Sequence, residues 1–278
     1  MYRQCYHLWS ISNMTLGMLI GVFPAKVRAD LTNGLVAAWL FEEADGQEAR
    51  DSAGSNHGEI KGGVKRVDGK INEALEFNGV DGFVEIPDDK TLHLPDAITV
   101  AAWMKGTDRN TKNNMAICWK GHHIAFGAFY SWRVATRTPT GMTWGRCSAV
   151  PGPEGYFHTF NVVEPNKWHH VALVGDGTEL KGYVNGKDIT GVSAETGMNV
   201  AGPYDVYEGE PVEIGAGAGW DGSDNKGYFS GIIDEVLIYD RALSEKELQE
   251  LVDGASLAKA LAVQPIGKLT ITWGTIKQ

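Results

Sequence analysis

The chain has 278 residues, 43% of them hydrophobic, enough to bury a full core, and its 35 glycines among short alternating apolar runs favour an all-β domain. A formal net charge of -10, from 25 Lys and Arg against 35 Asp and Glu, argues against nucleic acid as a partner and offers carboxylates to hard cations. The chain has no H-E-x-x-H, C-x-x-C or G-x-S-x-G string, which removes the usual zinc-protease, paired-cysteine and serine-hydrolase motifs.

In chain order, residues 1–29 carry Arg3 near the start, an apolar stretch from Met14 to Phe23 and a Val27-x-Ala29 end, the pattern of a secretory signal peptide. Export is therefore expected, to the medium, the cell surface or the periplasm. No other segment approaches the roughly 20 apolar residues a spanning helix needs, so no membrane span is expected in the mature chain. The domain proper is expected over residues 30–253. It opens on LVAAWLFEE from Leu35, followed by the loop DSAGSNHG at Asp51 to Gly58 and by two alternating segments, ALEFNGVDGFVEIPD from Ala74 and AITVAAWMKG from Ala97.

The middle of the chain gathers Trp119, Phe129, Tyr130, Trp132, Trp144, Tyr156 and Phe157, with Arg133, Arg137, Arg146 and His158 among them. Sugars stack their C–H faces on aromatic rings while polar neighbours set orientation, so Trp119, Trp132, Trp144 and Tyr156 are candidate ligand-binding residues. Half of every sandwich strand faces inward, so about two of these rings are expected outside. The pairs His122-His123 and His169-His170 point to opposite strand faces and cannot chelate a metal as units.

Next come WHHVALVGDG from Trp168 and GYVNGK from Gly182, a hairpin in which Asn185-Gly186 supplies positive φ angles. GAGWDG at Gly217 to Gly222 matches G-x-G-x-x-G but leads into a strand rather than a helix, so it reads as a loop and not a dinucleotide site. Trp220 in that loop is a further candidate ligand-binding residue. From Phe229 to Tyr239 both alternating sets are apolar, which predicts a strand covered on both faces. Asp234, on the face of Ile232 and Val236, then needs a cation or several donors. Ser244 and Glu247 form a capping box, and Leu243 and Leu248 a hydrophobic staple, so a helix starts there. Residues 254–278 form a tail, read either as an attachment or sorting segment or as a frayed or back-packed terminus.

Taken in order, LVAAWLFEE, the Asp51 loop, FNGVDGFVEI, WHHVAL, YVNG and GIIDEVLIYDRALS resemble the concanavalin A-like, laminin-G-like jelly-roll family as found in secreted bacterial LamG-like proteins. The resemblance implies an all-β, two-sheet antiparallel jelly-roll sandwich with one short helix after the last core strand. It also implies calcium, tying the N-terminal loop to that strand through Asp51 and Asp234. On the residues alone, Asp51 equally caps a turn, and Asp234 equally accepts main-chain N–H bonds or pairs with Arg241. The E-x-D-x-x-E string of the family's catalytic members is missing. The function implied is an exported, non-catalytic module that binds carbohydrate or a surface glycoprotein. A glycoside hydrolase or polysaccharide lyase is one alternative, and a structural adhesion or self-assembly protein the other. Cys5 leaves with the leader, so Cys118 and Cys147 remain either as a disulfide or as two buried thiols.

Overall fold

The computed structural model describes residues 30–107, 115–124, 127–137, 142–147, 155–159, 163–190, 203–204, 206–217, 226–254 and 257–262. Its strands are β1 Leu35–Trp39, β2 Glu48–Ala49, β3 Gly58–Lys61, β4 Val64–Asp68, β5 Glu73–Asn78, β6 Phe83–Ile86, β7 Ile98–Gly106 and β8 Met115–Ile124. They continue with β9 Gly127–Arg137, β10 Met142–Cys147, β11 Gly155–Thr159, β12 His169–Gly175, β13 Leu180–Val184, β14 Lys187–Asp188, β15 Val212–Ile214 and β16 Ser230–Tyr239. Among the described residues they form two antiparallel sheets. One runs β14-β13-β12-β7-β16-β5-β4 with β1 also paired to β16, and the other runs β11-β10-β9-β8-β15-β6-β3-β2. This is the two-sheet sandwich that the alternating pattern predicts.

The first sheet is covered on both sides, which explains why β7 and β16 are apolar at successive positions. Ile98, Val100, Ala102 and Met104 enter the core between the sheets, whereas Ala101, Leu237 and Tyr239 lie under a second apolar layer on the outer side. That layer is completed by α1 Glu245–Val252, which buries Leu248 and Leu251. Its start is the expected capping box: the Ser244 hydroxyl accepts from the Glu247 N–H while the Glu247 carboxylate accepts from the Ser244 N–H. Leu243 and Leu248, the expected staple, are buried in the same cluster. A second short helix, α2 Leu257–Ala262, follows, and Leu257 joins the α1 cluster, so the packed unit continues past residue 253. No described helix is long and apolar enough to cross a membrane. Residues 1–29 and 263–278, which include the expected signal-peptide pattern and most of the tail, lie outside the described residues.

One expectation is corrected. Asp234 does not share a face with Val236. Asp234 pairs with Trp103 and Leu237 with Ala101, so β16 holds one more residue than β7 between these pairs. Glu235 takes up that bulge with φ +49°. The parity of the strand flips there, which lets Ile233 before the bulge and Val236 and Ile238 after it all enter the core.

Of the two readings of the cysteines, the sheet order favours free thiols. Cys118 is a free, buried thiol that burial pushes above its ordinary pKa. β9 lies between β8 and β10, the strands that carry Cys118 and Cys147, so their backbones are separated by two strand spacings, about 10 Å. A disulfide needs Cα atoms within about 7 Å. Alkylation of the denatured, unreduced protein is expected to label both residues by intact mass; a product lacking those two labels would restore the bridge.

Candidate functional site

Asp51 and Asp234, the two carboxylates implied for one calcium ion, are occupied separately. Asp51 Oδ1 accepts the Ala38 and Ala53 N–H groups, both at 2.9 Å, and Oδ2 accepts the Asn56 N–H at 3.0 Å. These bonds close the 51–58 loop onto β1, beside the bridge between Trp39 and Asp51. Asp234 Oδ2 accepts the Lys70 and Ile71 N–H groups at 2.8 and 3.0 Å and so holds the turn between β4 and β5. Arg241 is engaged elsewhere, with Glu247 and the carbonyls of Asn33 and Asp30.

Asp234 Oδ1 is buried with no hydrogen-bond partner among the described residues, and Glu235 beside it is also buried. Burial raises both carboxyl pKa values, Asp234 to about 6 and Glu235 to about 8; the Asp234 charge adds to the rise at Glu235, and Glu42 adds to both. Among the described residues no three His, Cys, Asp or Glu side chains converge so as to hold a metal ion. Asp51 thus meets three N–H donors and Asp234 two, each carboxylate closing its own turn.

A second charged cluster stands at the other sheet. Lys120, on β8, is fully buried, and its ammonium donates to Asp88 Oδ1 and, at 2.7 Å, to the Glu210 carbonyl. Asp88 also accepts the Gly209 N–H at 2.6 Å and meets His93 Nε2 at 2.9 Å. Burial works to raise the Asp88 carboxyl, but the hydrogen bonds from Lys120, Gly209 and His93 outweigh it and hold it at about 2. His93 borders a cleft of about 520 Å³ whose described lining includes Asp96 and Asp240 but no Phe, Tyr or Trp ring for a sugar to stack on.

The rings singled out in the sequence are sorted by the register of the second sheet. Directly paired residues share a face, and one continuous row runs Glu48, Glu59, Glu85, Glu213, Trp119, Arg133, Arg146, Tyr156 across its eight strands. The adjacent row through Ile60, Val84, Ile214, Cys118 and Val134 has its first four members in the core. The polar row is therefore on the outer face. By the same parity, Trp144, paired with Ala135 and His158, lies at an outward position beside Tyr156, whereas Trp132 pairs with Lys120 and Cys147 at an inward position.

Trp119 is corrected as a ligand-binding ring. It is on the outer row but 3% exposed, because the chain at Gly217 crosses over it; a Cβ there would come within 3.1 Å of the indole. Trp220 lies outside the described residues. Residues 109–153 carry six Lys and Arg and no Asp or Glu, in a chain of net charge -10. That charge segregation was legible in the sequence and marks the same strands.

A family model described as concanavalin A-like lectin/glucanases superfamily matches residues 78–249. No curated protein matches the sequence. Among solved structures, the binding domain of Paraclostridial Mosquitocidal Protein 1 is similar at 15% identity and a TM-score of 0.58, over 80% of this chain and 52% of that one. This chain thus spans about half the length of that domain. Domain 4 of AbnA, a GH43 extracellular arabinanase from Geobacillus stearothermophilus solved with arabinotriose, is similar at 21% identity and a TM-score of 0.53, over 78% of this chain and 98% of that one. A Trypanosoma rangeli sialidase in complex with 2,3-difluorosialic acid is similar at 20% identity and a TM-score of 0.56, over 79% of this chain and 33% of that one. At these identities the likeness is one of fold.

Proposed function

The chain belongs to the concanavalin A-like lectin/glucanases superfamily, and from that premise we propose that it is an exported recognition module for carbohydrate or a surface glycoprotein. The binding surface in this reading is the outer face of the second sheet over β9, β10 and β11. The observation that carries it is the register, which brings Trp144 and Tyr156 to neighbouring outward positions among arginine and histidine positions. An aromatic pair with polar neighbours on a sheet face suits a sugar ring, which stacks by its C–H face and is oriented by hydrogen bonds. The arabinanase domain, solved with arabinotriose, shares this fold and supports the reading. The signal-peptide pattern of residues 1–29 supports export.

The test is a glycan array followed by titration of the strongest binder. Trp144→Ala and Tyr156→Ala are each expected to weaken binding by about 1 to 3 kcal/mol, with the melting temperature little changed. Inward-placed Trp132→Ala is expected instead to lower the melting temperature. Unfolding of both outward variants, or no binding to any glycan, would refute the assignment.

A further inference from the structure

The three strands of this surface contain Arg133, Arg137, Arg146 and His158 and no aspartate or glutamate. Arg133 and Arg146 are directly paired across β9 and β10, with Tyr156 next in the row. Arg137 occupies an outward position four residues on, paired with Met142. Two like charges directly opposite on one sheet face repel and weaken the pairing. A bound anion reverses the sign of that interaction, and paired guanidinium groups present the forked donors that match a carboxylate or sulfate.

The acidic half of the same row does not cancel this end. Lys226 is paired with Glu213, and Lys61 lies 2.7 Å from Glu85 and 3.5 Å from Glu59. Glu213, on β15, is three strands from Arg146, about 14 Å at the usual strand spacing, which exceeds the screening length of about 8 Å at physiological salt. The row is thus polarised by position, with glutamates on β2, β3, β6 and β15 and arginines on β9 and β10 next to the positions of Trp144 and Tyr156.

We infer that the ligand of this surface is an anionic polysaccharide, held through its carboxylate or sulfate groups by Arg133 and Arg146 while Trp144 or Tyr156 stacks a sugar ring. The inference rests on the recognition reading above and adds the charge class of the ligand. It is tested by titrating the protein with polygalacturonate, dextran sulfate, and neutral dextran and arabinan at low and physiological salt. Binding is expected to at least one of the two anionic polymers, at least tenfold tighter than to the neutral ones and weakened by salt. The responding polymer distinguishes carboxylate from sulfate recognition. Arg133→Gln and Arg146→Gln are each expected to lose at least tenfold in affinity without a fall in melting temperature, since each removes a repulsion. Lys61→Gln, at the acidic end of the row, serves as the control and should bind as the parent does. Equal, salt-insensitive binding to neutral and anionic polymers would overturn the anionic assignment and leave carbohydrate recognition standing. Binding to none of the four would overturn both.

Discussion

Lys120→Ala is expected to destabilise the domain by about 3 to 5 kcal/mol, the largest effect of any single substitution considered. The side chain is fully buried, and its removal leaves the Asp88 carboxylate and the Glu210 carbonyl without their cation. For a domain of this size that is roughly 6 to 20 °C in melting temperature. Most of the loss comes from stranding a charge rather than from the net strength of the pair, so Lys120→Met combined with Asp88→Asn should recover much of it. A loss under about 1 kcal/mol for Lys120→Ala would show that the pair is solvated and the burial wrong. The Asp88 carboxyl, held at about 2, contributes stability that is present above its unfolded value of 3.8 and lost as the pH falls toward about 2.

Glu235→Gln is expected to stabilise the protein at pH 8 and to change little at pH 4. The folded-state pKa of Glu235 is raised, so the folded protein holds this proton more tightly than the unfolded chain does. Stability from this group is therefore greatest below the unfolded value of 4.5 and is lost as pH rises through about 8. Asp234 acts in the same direction between its unfolded value of 3.8 and about 6. A parent melting temperature that falls between pH 5 and pH 8, with a flatter curve for Glu235→Gln, is the expected pair of results. Parallel curves for the two proteins would remove the buried-proton explanation. Calcium that raised the parent's melting temperature at pH 8, and did so less in Glu235→Gln, would put a cation rather than a proton against these carboxylates.

Local rules carried the sequence far at the C-terminal end of the domain. The capping box, the staple and the doubly apolar strand depend on residues within a few positions of one another, and β16 and α1 form where those signals lie. The Asp51 loop was legible for the same reason: a short carboxylate beside small and glycine residues folds back on nearby N–H groups. The bulge at Glu235 was not legible, because it exists through the mismatch in length between β16 and β7, which are far apart in the chain. Period-two reasoning carried across it assigned Asp234 to the wrong face. Lys120 misleads in a related way: a strand lysine reads as outward until a distant segment supplies Asp88 and the Glu210 carbonyl to meet it.

By itself the sequence determined the family, the antiparallel two-sheet class and the charge bias of the middle strands, since apolar period, turn chemistry and composition are properties of short stretches. It could collect Trp119, Trp132, Trp144 and Tyr156 as one group of rings but could not divide them. Only the tertiary structure did so, because which side of a sheet a residue takes depends on pairing partners and on where a bulge shifts the count. The register gave Trp132 a position in a core-side row and Trp144 and Tyr156 positions in the outer rows, Gly217 closed over Trp119, and β9 came between Cys118 and Cys147.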